Sequence, residues 1–447
     1  MLHTVVDTEL GSNWHATTVP VRPHPAAPGQ NVAVLIHRPG TLGPKAVPSP
    51  VPAPSHAGAA VADVAAAGPH ILASRAAAGA EESTSKGATE GATARVAEGT
   101  LAAGPGGPGA GQAAGNVGQP DQAGEPAGAH GGGVFDATAG DVGHHFPTVC
   151  GERAVLYIHG FQDYFFHPHL ARAWEKAGYT FFALDLRGNG RAWDGTGEIG
   201  QVDHLRAYGD DLMRSIHLIR SAGAKRVVIN GHSTGGLLAA VWTHAFPEAV
   251  DALVLNSPWL DLAGPLAARL PARAVAKAAA AINRSALLAT LPGYFAAGLH
   301  YSTGGEFHFS LARKIITGAA VRAGFLSSVI AAQAAVARGL NLPVPALVCH
   351  SSRSQLALGW GHDAMLRAAK SDSDVVLDVK RIAARTPSLG PYAERAVIVD
   401  GKHDLALSKP AAREEYFRTI SLWTDKALEQ FPPSGRGSAH KQRDRLS

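Results

Sequence analysis

The chain has 447 residues and a formal net charge of +4, from 40 Lys and Arg against 36 Asp and Glu. An excess this small does not indicate a nucleic-acid partner, and no apolar run approaches the roughly 18 residues of a membrane span. The start of the chain lacks the basic and apolar regions of a signal peptide, and two cysteines, Cys150 and Cys349, do not suggest a disulfide framework. We therefore expect a soluble cytoplasmic protein without stable membrane insertion.

The first 40 residues contain two predicted strands. Residues 32–38 are rich in Val, Leu and Ile and lie between two Pro-Gly pairs, which is typical of a strand bounded by turns. Residues 17–21 are the predicted hairpin partner. We assign residues 1–40 to the opening strands of a sheet.

Residues 41–149 have a different composition, dominated by Ala, Gly and Pro, with hardly an aromatic residue before Phe135. Such a segment buries too little apolar surface to offset its ordering entropy, so we predict a disordered insertion. Its four basic and nine acidic residues give it a net charge of −5, which excludes a nucleic-acid-binding arm. Its ends are expected to lie close together, between two neighbouring strands.

From residue 150 onwards, predicted strands alternate with predicted helices, which indicates a mainly parallel, doubly wound sheet. Residues 154–158 and 226–230 are short β-branched or apolar runs typical of buried strands. Residues 169–177 and 202–221 have apolar residues at helical spacing. We assign residues 150–425 to one large α/β domain.

Residues 231–236, Gly-His-Ser-Thr-Gly-Gly, follow the strand at 226–230 and precede a helix-forming run. Strand, sharp turn and helix around G-x-S-x-G are typical of a nucleophile elbow, which lifts a serine hydroxyl clear of a sheet. Gly231 and Gly235 remove Cβ atoms where the backbones crowd together. Ser233 is therefore the candidate nucleophile.

A serine nucleophile of this kind needs two N–H groups that converge on the developing oxyanion. One comes from the residue after the serine, Thr234; the loop after the strand at 154–158 is the expected source of the other. In that loop Gly160 allows a close approach and Phe161 supplies the N–H. Aromatic residues beside this loop are candidates for the substrate pocket, namely Tyr164 and Phe165.

A cap is predicted between about residues 259 and 341, because this stretch is longer than one crossover helix requires. It contains an Ala-rich helix near 263–282 and an irregular aromatic segment near 294–309. A cap of this kind roofs an active site and selects the substrate. Its apolar residues suggest an acyl or aryl group.

A serine nucleophile also needs a histidine that takes its proton and a carboxylate that orients this histidine. Both are expected downstream of the serine, the carboxylate first and the histidine second. His403 follows the last predicted strand, at 396–399, and is the preferred base over His232 and His350. The strand at 344–349 has no carboxylate directly after it, so the acid must lie farther on. The candidate carboxylates are Asp374, Asp378 and Asp363.

Residues 426–447 have a basic excess and are assigned to a flexible tail.

These pieces together resemble the monoacylglycerol lipase, lysophospholipase and serine aminopeptidase branch of the α/β-hydrolases. The resemblance covers roughly residues 150–425, although Asn189 and Ala192 depart from the family pattern around D-x-R-G-H-G. It implies a triad of Ser233, Asp374 and His403, with Asp374 preferred because residues 374–378 match a D-x-V-L-D type of stretch. The matching segments lie at 159–166, 183–191, 231–236, 255–259, 374–378 and 402–404.

The resemblance implies a serine hydrolase that cleaves carboxylic esters, with monoacylglycerols or lysophospholipids as the substrates of the family. No cofactor is expected, and no metal site is predicted because the histidine pairs lack supporting ligands. Two alternatives stay open at this point. One is an aminopeptidase, for which Glu306 is the candidate carboxylate that binds a free α-amine, and the other is a catalytically silent binding protein of the same fold. The oligomeric state is left open.

Overall fold

The structure is a computed structural model that describes residues 2–39, 151–264, 266–356 and 362–431. The predicted insertion at 41–149 lies outside the described residues, and so does Cys150. The predicted tail is described only up to Phe431.

A nine-stranded sheet forms the centre of the described chain, in the order β1-β2-β3-β5-β4-β6-β7-β10-β11. Pairing is antiparallel from β1 to β5 and parallel from there to β11. This is the mainly parallel sheet that the sequence predicts. The strands are β1 (His3–Val6), β2 (His15–Pro20), β3 (Val32–His37), β4 (Arg153–Ile158), β5 (Thr180–Asp185), β6 (Arg226–His232), β7 (Ala252–Asn256), β10 (Ala346–Ser351) and β11 (Ala393–Ile398).

Helices cover both faces of the sheet, so the parallel strands in its interior are buried on both sides, whereas the edge strand β11 is partly exposed. Strand β4 shows this arrangement, because Leu156 belongs to one apolar cluster and Val155 to the other. The helices are α1 (Pro168–Lys176), α2 (Gly209–Ser221), α3 (Thr234–Ala245), α4 (Leu266–Ile282), α5 (Tyr294–Leu299), α6 (Ala323–Arg338), α7 (His362–Ala369), α8 (Val379–Arg385) and α9 (Pro410–Gln430). No helix of the described residues has both the length and the apolar character required to cross a bilayer.

The segment predicted as a cap, about residues 259–341, lies between β7 and β10 and contains α4, α5 and α6. The sequence analysis missed a short antiparallel pair within it, β8 (Leu287–Leu291) and β9 (Ala319–Arg322). Both strands are short, β8 is mostly exposed and β9 is half-buried, and residues 287–291 lack a regular apolar pattern.

Two boundary predictions need correction. Strands β3 and β4 are not neighbours, because β5 lies between them and pairs with both. The end of β3 and the start of β4 still lie at the same edge, since His37 and Leu156 both pair with Phe182.

The predicted tail also begins too early, because α9 continues to Gln430. Buried residues Ala427 and Leu428 stabilise that last helical turn.

Candidate active site

Ser233 lies between the end of β6 and the start of α3, in a backbone conformation with φ of 52° and ψ of −116°. Such a conformation is strained for a residue with a side chain and persists only where neighbouring contacts hold it. Its N–H donates to the Asn256 carbonyl at 3.0 Å, and its own carbonyl accepts the Gly236 N–H at 3.0 Å. The turn is therefore held from β7 and from its own helix.

Two glycines of the motif are required by close backbone packing. A Cβ on Gly231 would lie 2.7 Å from the Gly235 carbonyl oxygen. A Cβ on Gly235 would lie 2.6 Å from the Ile158 carbonyl oxygen and would also collide with the His159 carbonyl. The absence of a side chain at Gly235 lets the elbow approach the end of β4, and its absence at Gly231 lets β6 and the start of α3 pack closely together.

His403, in the loop after β11, joins the other two predicted residues. Its Nε2 lies 3.1 Å from Ser233 Oγ, and its Nδ1 lies 3.0 Å from Asp374 Oδ2. All three side chains are buried. An Nδ1–H that donates to the carboxylate leaves Nε2 as an acceptor for the serine hydroxyl, which is the arrangement that activates a serine.

Asp374 is held in place by its second carboxylate oxygen. Oδ1 accepts the backbone N–H groups of Val376 at 2.9 Å and Leu377 at 2.8 Å. The other two candidate carboxylates have different positions. Asp378 accepts the Lys380 N–H at 3.0 Å and caps α8, and Asp363 is exposed in the first turn of α7.

The rival histidines are buried and do not replace His403. Burial, with a smaller effect of the nearby His403, lowers the pKa of His232 well below its usual value, so this ring is neutral. Its centroid lies 4.9 Å from that of His403. His350 lies within β10, and its Nδ1 is 2.7 Å from the Ser351 carbonyl oxygen.

Asn256, at the end of β7, fixes the loop that carries His403. Its Nδ2 donates to Asp404 Oδ1 at 2.8 Å, and its Oδ1 accepts the Leu405 N–H at 3.2 Å. Two of the sequence segments that carry the resemblance, 255–259 and 402–404, are thus joined by hydrogen bonds. This link orients the loop toward the elbow.

Phe161 and Thr234, the predicted oxyanion donors, both line the cavity at Ser233. Thr234 is the first residue of α3, so its N–H has no acceptor within the helix. The Phe161 ring stacks on Phe325 with centroids 4.6 Å apart, which holds the loop. A Cβ on Gly160 would lie 3.2 Å from Ser233 Cβ, so the loop backbone passes directly beside the nucleophile.

The cavity above Ser233 has a volume of about 350 Å³ and is lined mainly by apolar residues of the cap and of α7. Gly160, one of the candidate pocket residues, is among its lining residues. Sequence analysis did not assign several other walls of the cavity, because they come from distant segments. These additional lining residues include Trp259, Leu291, Phe295, Lys314, Met365 and Val376.

The prediction that Tyr164 and Phe165 line the pocket is wrong. Phe165 packs in the core between Trp14 and Phe181, with centroids 5.5 and 5.2 Å away. Its N–H donates to Asp185 Oδ1 at 3.0 Å, which turns this stretch away from the cavity. Tyr164 is also buried, and its hydroxyl donates to the Glu9 carboxylate and accepts the Ser310 N–H at 2.7 Å.

Asn189, one of the departures from the family pattern, lies away from the triad. Its Nδ2 donates to the Arg187 carbonyl at 3.0 Å. The Arg187 guanidinium in turn pairs with buried Asp211.

In the described part of the chain, no group of three or more His, Cys, Asp or Glu side chains is arranged to hold a metal ion.

The chain matches the model of a known protein family. The family model described as "Serine aminopeptidase, S33" matches residues 151–380, about half of the chain. The chain therefore belongs to this family of α/β-hydrolases. His403 lies beyond the matched segment and enters the site through the contacts described above.

Individual relatives match more weakly. A Mycoplasma pneumoniae protein named "Putative esterase/lipase 2" is 31% identical over 108 residues, and the match spans 23% of this chain and 37% of that protein. The chain thus spans little more than a third of the length of this curated relative.

Among solved structures, a monoacylglycerol lipase of Paleococcus ferrophilus has a TM-score of 0.45 and 16% identity, over 60% of this chain and 92% of the lipase. A soluble variant of the Saccharomyces cerevisiae monoglyceride lipase has a TM-score of 0.46 and 16% identity, over 62% of this chain and 87% of that variant.

Proposed function

We propose that this chain is a serine hydrolase that cleaves carboxylic esters with an apolar, lipid-like acyl group. The observation that carries the proposal is the position of His403, which contacts Ser233 Oγ at 3.1 Å and Asp374 Oδ2 at 3.0 Å beside an apolar cavity. A buried serine, imidazole and carboxylate in this order are suited to acyl transfer.

The proposed reaction has two steps. Ser233 Oγ attacks the ester carbonyl while His403 Nε2 takes its proton, and Asp374 stabilises the imidazolium that forms. The N–H groups of Phe161 and Thr234 bind the oxyanion. His403 then protonates the leaving alcohol, and a water activated by the same histidine releases the acid from Ser233.

The lining of the cavity supports an apolar acyl group. Leu291, Phe295, Met365 and Val376 are among the walls, and Ser233 lies at one side of the same cavity. Burial of an acyl chain against such a surface contributes roughly 0.8 kcal/mol per methylene group. Monoacylglycerols and lysophospholipids both fit this description, and the name of the Mycoplasma pneumoniae relative agrees with an ester substrate.

The family description favours a second candidate, a serine aminopeptidase. That reaction requires a carboxylate near Ser233 to bind the α-ammonium group of the substrate. Glu306 is exposed and does not line the cavity. Asp163 does line it, but this carboxylate is paired with Lys314. The described residues therefore favour the esterase over the aminopeptidase.

A fluorophosphonate probe tests the proposal against a silent binding protein, because only an activated serine reacts with it. We expect wild-type protein to be labelled at Ser233 and to cleave p-nitrophenyl esters, with medium-length acyl groups preferred over acetate. Aminoacyl p-nitroanilides should be poor substrates. A folded protein that is neither labelled nor active on any ester would contradict the proposal.

A further inference from the structure

Lys314 and Asp163 form an ion pair in the wall of the candidate active site. Lys314 comes from the cap segment between α5 and β9, and Asp163 follows the loop that carries Phe161. Their side chains are only 6% and 7% exposed, and both residues line the cavity at Ser233. Both oxygens of the Asp163 carboxylate have a partner, because Oδ2 pairs with Lys314 and Oδ1 accepts the Tyr164 N–H at 2.8 Å.

Three aromatic rings surround the ammonium group of Lys314. Its Nζ lies 5.1 Å from the centroid of Phe166, 5.8 Å from that of Phe309 and 6.0 Å from that of Phe295. Aromatic faces together with a carboxylate are the groups that bind an organic ammonium ion. The Lys314 ammonium group therefore lies among groups that could equally bind the ammonium group of a ligand.

This site is close to the reacting atoms. Phe295 contacts Lys314 and also meets the His403 ring edge-on, with centroids 5.3 Å apart. Burial is the main cause of the lowered pKa of His232, the residue before Ser233, and the charge of Lys314 contributes to it. The cation is thus near the elbow, and Asp163 is three residues beyond Gly160.

On the basis of the proposed acyl-transfer function, we propose that Lys314 is a specificity-determining residue: it occupies the position in which Asp163 would bind the α-ammonium group of an aminoacyl substrate. A second ammonium group at this place would meet a like charge and would find its carboxylate already paired. The site therefore selects uncharged acyl groups and excludes aminoacyl esters.

Two substrates that differ only in the ammonium group test this inference. They are the p-nitrophenyl esters of leucine and of 4-methylpentanoic acid, compared at about pH 6, where an α-amino group is protonated. The measured quantity is the ratio of kcat/KM for the leucine ester to kcat/KM for the uncharged ester. A loss of activity common to both substrates cancels in this ratio.

We expect a low ratio for wild-type protein and an increase of about tenfold or more in Lys314→Met, because the substrate ammonium can then pair with Asp163. The double variant Asp163→Asn/Lys314→Met removes both charges and should not show the increase. Lys409→Met is the matched control, because Lys409 also pairs with an aspartate, Asp372 at 2.8 Å, but is exposed and does not line the cavity.

A wild-type ratio near one would overturn the inference, and so would an unchanged ratio in folded Lys314→Met. An equal increase in the double variant would show that Asp163 is not the receptor. If Lys314→Met does not fold because Asp163 is left unpaired, Lys314→Ala with added propylammonium is the second test. The cation should raise its melting temperature and propanol should not; an equal response to both overturns the inference.

The outcomes also separate this inference from the proposed function. Absence of labelling at Ser233 together with no cleavage of either ester contradicts the serine-esterase proposal itself. Cleavage of the uncharged ester with no effect of Lys314 on the ratio contradicts only the role of Lys314.

Discussion

Ser233 Oγ and His403 Nε2 lie 3.1 Å apart, although 170 positions separate the two residues in the chain. The contact exists because β6 and β11 are parallel members of one sheet, whose carboxyl ends lie at the same edge. The loop after β11 reaches back across β7 and β10, and Asn256 at the end of β7 holds it there through Asp404. Ligand sites are expected at this edge of open α/β sheets.

Replacement of Ser233 by Ala should abolish both fluorophosphonate labelling and ester hydrolysis. Loss of a triad serine costs roughly six orders of magnitude in kcat in a well-studied serine hydrolase. The melting temperature should be nearly unchanged, because the substitution removes one oxygen atom at the cavity wall. Labelling that persists in folded Ser233→Ala would assign the reactive serine elsewhere.

The acid can be tested with two neighbouring carboxylates. Asp374→Asn should lower kcat by roughly four orders of magnitude, because an amide cannot hold the required tautomer of His403 or stabilise its cation. Asp378→Asn is the matched control, since Asn caps a helix about as well as Asp and this residue caps α8. If the two variants show the reverse order in steady-state kinetics, Asp378 rather than Asp374 serves as the acid.

Gly235→Ala should destabilise the protein by about 3 kcal/mol, because the new Cβ would lie 2.6 Å from the Ile158 carbonyl oxygen. Gly209→Ala is a suitable comparison, as Gly209 begins α2 in a helical conformation and its nearest contact would be 4.0 Å away. That variant should change stability by less than about 1 kcal/mol. Equal unfolding free energies for the two variants, measured in urea, would contradict this account.

Local sequence patterns predict the elbow and the position of His403, because each depends on a strand followed by a short loop. The choice of Asp374 additionally requires the family resemblance, because Asp374 is far from the end of β10 in the sequence. Helix α7 lies between them, and so do residues 357–361, which are outside the described chain. Local sequence patterns could not predict which residues line the pocket. Tyr164 follows Gly160 closely in sequence, yet hydrogen bonds to Glu9 and Ser310 direct it away from the cavity.

The order of the strands in the sheet could not be predicted from local sequence patterns either. A sequence shows that β3 precedes β4, but the position of β5 between them depends on its pairing with both strands in the folded sheet. Lys314 carried no sequence signal, because an isolated lysine in an irregular segment is usually exposed. Its role becomes apparent only from its buried contact with Asp163.

His167 should make the protein less stable in acid. Burial lowers the pKa of His167 to about 3 from an ordinary value of 6.5, and among the described residues neither ring nitrogen has a hydrogen-bond partner. The folded state holds the neutral ring, so the stability is complete above pH 6.5 and falls as the unfolded chain takes up a proton below it. The loss should reach about 2 kcal/mol near pH 5.

His167→Phe removes this titrating group and keeps the ring contacts with Tyr157 and Phe165. Denaturant unfolding at pH 7 and pH 5 should therefore show a smaller loss of stability in the variant than in wild-type protein. An identical loss in the two proteins would mean that His167 does not contribute to acid sensitivity.

Deletion of residues 41–141, with the ends joined by a short Gly-Ser linker, should leave kcat/KM for a small acyl ester nearly unchanged. This segment lies outside the described residues, and every residue that we place at the candidate site lies after position 150. The described ends of the flanking strands lie at the same edge of the sheet with only β5 between them, a separation of about 10 Å for two strand spacings. Shortening a loop of this length alters its closure entropy by only about 1–2 kcal/mol, in the stabilising direction.

Steady-state hydrolysis and a thermal melt of both proteins check this expectation. A melting temperature equal to or slightly above that of the full chain, with kcat/KM within a few-fold, would agree with an insertion that contributes nothing to acyl transfer. A tenfold or greater loss of activity at an unchanged melting temperature would instead show that residues 41–141 shape the site. In that case the substrate contacts extend beyond the cavity walls described here, because the melt would exclude a general loss of folding as the cause.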